Sequence, residues 1–315
     1  MSVKLKKETV AAILSLLIAF IALCASAYAW FISNTKVTAD TSSITAIANG
    51  MTLQIVKGTI PDHGKDSETI AFDSISGHEI SPSSTDDVKT WYIPAAWTDG
   101  AMVSQYQAVA PDHETGEYVL NGRKYYAYCV GTYTLYTIRD TGVADIYLDG
   151  STSEGAISVT SGGVPLNDKI AKSLRIGLAT VDSSGVEKLQ VVYAPSTPTG
   201  SGNDVHSKQN SLSGWIAVED NSKTKNATYC HIAENNYIDQ NAGNWGATKD
   251  GNDYRRPLDN PKAIASGIDY NGIILKVYIW LEGTDADCVN TSAEGIDEDM
   301  TFDVTLRMIG IDSAS

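Results

Sequence analysis

The chain has 315 residues, with 23 Lys and Arg against 38 Asp and Glu, a formal net charge of −15. Such a balance argues against nucleic acid as a partner, because phosphates call for Lys/Arg patches, and against adhesion to anionic lipid head groups. It suits solubility outside a cell, and the length accommodates one elaborated domain or two that share a sheet.

At the N-terminus Lys4, Lys6 and Lys7 precede an uncharged run from Thr9 to Thr35, and its central part, Val10 to Ala29, is almost entirely apolar. A helix of that length could cross a bilayer. The same order of features, a basic region, an apolar region and then small residues at Ala27 and Ala29, is that of a secretory signal peptide cut before Trp30. Two outcomes follow: residues 1–29 are removed, or they stay as a membrane anchor, and in both the body is exported. Contact with the membrane is then confined to this N-terminal helix before cleavage. Cys24 is preceded by Leu23 where lipoprotein processing needs a small residue, so lipidation is not expected. Cys129, Cys230 and Cys288 remain in the body. Three is an odd number, so at most one disulfide forms inside a subunit, and the spacing contains no C-x-x-C for a zinc site.

Residues 30–43 form an uncharged-to-polar extended stretch, and 44–315 read as strands between turn-rich connections, with no sustained helical period. Expected strands are 50–57, with Met51, Leu53 and Ile55 inward, then 124–139, 144–148, 174–181 and 188–193. The 124–139 run is aromatic on both faces, with Tyr126, Tyr128 and Tyr136 on one and Tyr125 and Tyr133 on the other. It should therefore be a central strand that buries Cys129. A short helix is expected at 167–173. In 273–281, Ile273, Leu275, Val277, Ile279 and Leu281 share one face, with Lys276 and Glu282 on the other; 301–308 turns Phe302, Val304, Leu306 and Met308 inward. Polar insertions are expected at about 58–90, 97–117, 195–214, 234–262 and 283–299. An all-β chain of this kind implies a two-sheet sandwich of jelly-roll type, because each sheet must bury its apolar face against another.

The chemistry-bearing motifs are absent. The five histidines do not form H-E-x-x-H or H-x-H, and no G-x-S-x-G elbow, phosphate loop or dinucleotide fingerprint occurs, so no enzyme is expected. Glu282, Asp285 and Asp287 after one strand, with further acidic residues up to Asp299 before the next, supply hard oxygen donors that could hold calcium. Their spacing is not that of a known calcium loop, so a merely hydrated acidic loop is the expectation, with no metal or other cofactor. Trp91, Trp97, Trp215 and Trp245 fall near loops, where exposed aromatics would mark a ligand surface.

The apolar leader ending in Ala-Trp-Phe, followed by "ISNTKVTADTSSITAIANGMTLQI", resembles the start of the TasA/camelysin group of Gram-positive biofilm matrix proteins, which depend on the signal peptidase SipW. The segments "AKSLRIGLATVDSSGVEKLQVVYAPST", "KYYAYCVGTYTLYT" and "LKVYIWLEGTDADCVN" are similar to the clostridial, BsaA-type branch. Together these stretches cover about a third of the chain. The resemblance implies a non-enzymatic jelly-roll subunit, secreted to the cell surface, trimmed by a signal peptidase and assembled with itself into extracellular fibres. It further implies that the freed segment pairs as a strand in the neighbouring subunit, with Trp30, Phe31, Ile32 and Val37 as apolar anchors. The competing expectation is a cell-surface adhesin held by an uncleaved N-terminal helix.

Overall fold

The structure is a computed structural model, and it describes residues 36–48, 53–61, 63, 69–70, 80–85, 87–98, 102–138, 142–153, 155–161, 164–165, 173–194, 216–220, 223–226, 237–238, 242–283 and 299–313. Lys36–Val289 together with Asp299–Ser315 form one compact unit; the other, Met1–Thr35 with Asn290–Glu298, lies outside the described residues, as does all but Ser173 of the helix expected at 167–173. Apart from one 3-10 turn, Gly243–Trp245, every regular element described is a strand. Among the described residues no helix is long and apolar enough to cross a membrane.

Two sheets enclose the core. The first contains β2 (Leu53–Lys57), β8 (Cys129–Thr137), β12 (Leu174–Val181), β13 (Glu187–Tyr193), β16 (Tyr237–Ile238) and β20 (Ile273–Leu281), in the order β16-β13-β12-β20-β8-β2. The second is built on β21 (Asp299–Asp312) and holds β1 (Lys36–Ala48), β3 (Thr69–Ile70), β9 (Ala144–Asp149), β10 (Ile157–Ser161), β11 (Val164–Pro165), β17 (Gly246–Asp250), β18 (Asp253–Arg255) and β19 (Ala265–Ile268). One edge of β21 is taken by β1 from position 299 to 310. Since a strand has two edges, β9 (opposite 308–312) and β10 (opposite 303–306) lie end to end along the other.

The alternation that defines these strands also fills the space between them. Leu275, Val277, Ile279 and Leu281 of β20 meet Phe302, Val304, Leu306 and Met308 of β21, all within 1 % of full burial, in one cluster with Leu53, Ile55, Tyr133, Leu135, Leu174, Ile176 and Leu178. Each such side chain contributes about 1.5–3 kcal/mol on leaving water. The chain is therefore an all-β, sandwich-like fold, and the inward sets expected for 273–281 and 301–308 are those found. Cys129 is buried in the same cluster.

Several stretches depart from expectation. The run 124–139 is two strands, β7 (Arg123–Tyr126) and β8, and only Tyr128, Tyr133 and Tyr136 belong to the sandwich side of the break. Here the backbone is claimed by other partners: the Ala127 N–H donates to the Gly116 carbonyl at 2.9 Å, while Ser81 N–H and Ser83 Oγ donate to the carbonyls of Tyr126 and Ala127. β7 pairs instead with β6 (Glu117–Leu120) in a separate hairpin. The expected insertion at 97–117 carries the end of β4 (Trp91–Thr98) and all of β5 (Met102–Val109), which pair across bulges beside Pro94. With β14 (Ile216–Asp220) and β15 (Lys223–Asn226) they form a further sheet. The 234–262 stretch likewise holds β16 and the β17–β18 hairpin, and 58–90 holds β3 and a buried extended segment, Ile80 to Thr85. Polar arms and an internal Pro hid these strands, because neither gives an apolar period.

Candidate functional site

Among the described residues, those with functional character gather in two places: the outer face of the β20 sheet and the edge formed by β1 on β21.

On the outer face, Tyr278 and Trp280 of β20 point away from the sandwich core and are both 0 % exposed. Trp91, at the start of β4, covers them: its ring centroid lies 5.7 Å from Trp280 at a right angle and 4.4 Å from Tyr128. Tyr128 in turn meets Tyr278 edge-on at 5.1 Å. Room for the Trp280 ring comes from Gly177 on the neighbouring strand, where a Cβ would stand 3.0 Å from it. A tight turn seats Trp91. Thr85 Oγ1 accepts from Val88 N–H at 2.9 Å and donates to the Thr90 carbonyl at 2.8 Å, and Asp87 accepts from the N–H groups of Lys89 and Thr90. The Val88 carbonyl, held at a left-handed φ of 56°, accepts from Trp91 Nε1 at 3.1 Å.

Several polar groups in this layer pair with one another. Glu282 is 1 % exposed, and its Oε2 accepts from Trp280 Nε1 at 3.0 Å. Arg175, equally buried, occupies the β12 position opposite Trp280, diagonal to Glu282, and donates to the Leu174 carbonyl at 2.9 Å. Glu187 accepts from Tyr278 Oη at 2.6 Å and meets Lys276 Nζ at 3.3 Å, with Glu114 at 3.9 Å on the solvent side. Burial first, and then the hydrogen bond to Glu187, pushes the Tyr278 phenol far above its ordinary pKa; burial does the same to Tyr128. These phenols stay neutral donors at any ordinary pH. The layer locks the 80–93 segment onto the sheet rather than presenting reactive groups.

The edge is the second place. β1 pairs in parallel with β21 from Lys36↔Asp299 to Ala48↔Gly310, with one bulge between Thr41 and Ser43. Among the described residues its opposite edge pairs with β3 at Ile44 and Thr45 alone. The bulge shifts the phase of β1 by one residue, so Ile44, Ala46 and Ala48 come opposite Leu306, Met308 and Gly310, continuing the line begun by Val37 opposite Met300 and Ala39 opposite Phe302.

Of the residues singled out in the sequence, Val37 sits in β1 and pairs within its own chain. Ala27, Ala29, Trp30, Phe31 and Ile32 lie outside the described residues, as do Asp285, Asp287, Trp215, Cys230 and Cys288. Glu282 turns into the aromatic layer. Among the described residues no group of three or more His, Cys, Asp or Glu could hold a metal ion. Trp91 is 1 % and Trp245 5 % exposed, so neither offers a surface to a ligand, and Trp97 lies within β4. Sequence reasoning ended the N-terminal segment at residue 43, five short of the strand's end. The phase slip at Ser42 broke the alternation that would have extended it.

Comparison with known proteins gives no matching family model, no matching curated protein and no matching solved structure.

Proposed function

We propose that this chain is a secreted, non-enzymatic structural subunit of extracellular biofilm-matrix fibres, built on a jelly-roll-type sandwich and assembled by passing its first strand to a neighbouring copy. The observation that carries this is the placement of β1. The strand at 36–48, a few residues after the leader expected at 1–29, lies along β21 through twelve main-chain pairs, most of its other edge having no partner strand among the described residues. A strand added at a sheet edge satisfies the same backbone donors and acceptors whether it comes from its own chain or from the next. Cleavage before Trp30 would free its leading end, and the acidic surface would keep unassembled subunits apart. The loop-tryptophan adhesin is less well supported, because Trp91 and Trp245 are buried.

Electron microscopy and sedimentation of three forms test this: the chain beginning at Trp30, the chain beginning at Asp40, and the chain that keeps residues 1–29. Fibres are expected from the first alone, and intact-mass measurement of secreted material should place its N-terminus within a residue of Trp30. Equal polymerisation of the form beginning at Asp40 would remove strand donation from the account.

A further inference from the structure

We propose that the buried aromatic layer is a one-electron relay, in which an oxidising equivalent arriving at Trp280 or Trp91 passes to Tyr278 and rests there with the phenolic proton on Glu187. This activity is independent of the fibre function above. The layer presents no group to a substrate and needs none, because an electron moves between rings in contact.

The path is continuous. Between ring centroids, Trp280 lies 5.7 Å from Trp91, Trp91 lies 4.4 Å from Tyr128, and Tyr128 lies 5.1 Å from Tyr278, the spacing of aromatic rings in contact. A second branch joins Trp91 to Tyr278 directly at 6.3 Å. All four rings are at most 1 % exposed, so a radical in solvent is kept from adding to them while an electron can still leave.

What differs along the path is where each ring can put its proton. An indole or phenol that has lost an electron becomes far more acidic, and a positive ring left without a partner is costly in a buried site. Trp280 Nε1 donates to Glu282 at 3.0 Å and Tyr278 Oη donates to Glu187 at 2.6 Å, so both ends face a carboxylate. In the middle, Trp91 Nε1 donates to the Val88 carbonyl and Tyr128 Oη to the Asp112 carbonyl, each at 3.1 Å, and a peptide carbonyl is too weak a base to take the proton. The middle rings pass charge on; the ends can hold it. Of the two ends the phenol is the resting place, since a phenol gives up an electron and a proton together slightly more readily than an indole. Burial keeps the Tyr278 phenol protonated beforehand, so the proton must move with the electron.

The exchange balances. A one-electron oxidant, such as a peroxyl radical, takes an electron from Trp280, whose Nε1 proton goes to Glu282. An electron then comes from Tyr278, Trp280 recovers its proton from Glu282, and the Tyr278 proton crosses to Glu187 Oε1. With 15 % of its side chain exposed, Glu187 connects that end to solvent. A thiolate supplying one electron returns Tyr278 to the phenol, Glu187 gives back the proton, and a thiyl radical leaves. The indoles are oxidised and restored instead of being consumed.

Laser photoionisation of the indoles in the full chain, followed by transient absorption, tests the relay. A fast conversion of indolyl into phenoxyl signal is expected, abolished in Tyr278→Phe and reduced in Trp280→Phe. Tyr128→Phe should slow it without abolishing it, because Trp91 also meets Tyr278 directly. Glu187→Gln keeps a hydrogen-bond acceptor but not the base, and should slow it by about a hundredfold, as loss of a positioned proton acceptor does. A fast phase that persists in Tyr278→Phe, or a rate unchanged in Glu187→Gln, overturns the proposal, and a layer that only packs would show no dependence on that amide. After exposure to peroxyl radicals with thiol present, peptide mapping should find more indole loss at Trp91 and Trp280 in Glu187→Gln than in the wild type, with Trp245 unchanged. Equal loss in the two proteins would overturn the restoring role.

Discussion

The two faces of the β20 sheet are about equally buried but differently built. Toward β21 the sheet presents Leu275, Val277, Ile279 and Leu281 to other hydrocarbon, and nothing there requires a partner beyond close contact. On the opposite face Lys276, Tyr278, Trp280 and Glu282 are covered as well, yet the polar groups there have to be matched, Tyr278 and Lys276 by Glu187 and Trp280 by Glu282. A hydrocarbon face tolerates a change in detail at the cost of a cavity, whereas a matched polar face loses more when one partner is removed than the pair contributes when intact. The comparison can be broken in graded steps.

Trp280→Ala should cost the most, about 4–5 kcal/mol in urea unfolding, since it empties an aromatic site and also removes the donor to a buried carboxylate. On the hydrocarbon face Ile279→Ala should cost about 3 kcal/mol, with no change in the pH profile of stability. Glu187→Ala, which leaves both Tyr278 Oη and Lys276 Nζ without their acceptor, should cost about 2 kcal/mol, and Glu187→Gln less, because an amide oxygen still accepts from Tyr278. Should Ile279→Ala prove costlier than Trp280→Ala, the distinction between the faces would fail.

The pH dependence of stability probes the outer face through its buried phenols. The folded pKa of Tyr278 and of Tyr128 is raised above the ordinary phenol value of 10.0, so their contribution is complete below that pH and is lost as pH rises above it. Stability measured from pH 8 to pH 11.5 should therefore fall, and Tyr278→Phe should flatten the decline. The smallest effect is expected at Val88→Gly. Relief of a left-handed valine, about 1–2 kcal/mol, nearly offsets the loss of its buried side chain, about 1.5–3 kcal/mol, leaving a net cost of about 1 kcal/mol.

The same contrast explains what the sequence made legible. Strands at 273–281, 174–181 and 301–308 stand out because one face is continuously apolar, and period-2 alternation names that face without ambiguity. Alternation does not tell whether the other face is wet. Lys276 and Glu282 therefore read as solvent-facing, although Glu187 and Glu114 meet the first and a segment about 200 residues earlier in the chain pairs at the second. Trp91 and Trp245 looked like loop aromatics for the same reason: their burial depends on partners distant in sequence. At the edge, Val37 was visible as part of an extended stretch, but the bulge after Thr41 moved the apolar positions out of phase and concealed that the strand runs on to Ala48. The hairpin β17–β18 was missed because its exposed arms, Thr-Lys-Asp and Asp-Tyr-Arg, carry no apolar stripe at all.

The pairing of the first strand with the last also sets a timetable. Lys36 meets Asp299, so the earliest strand to leave the ribosome waits for one 263 positions later, a delay on the order of 15–50 s at ordinary rates of chain elongation. Both layers share the delay: β20, the strand that joins β12 to β8, ends only 18 positions before β21 begins, and β21 is the central strand on which β1, β9 and β10 all depend. Each half-built sheet therefore keeps its hydrocarbon face open until the last two strands have been made. Slow, late closure of this kind exposes a nascent chain to sticking, and it gives the final fourteen-residue strand control over when the subunit becomes complete.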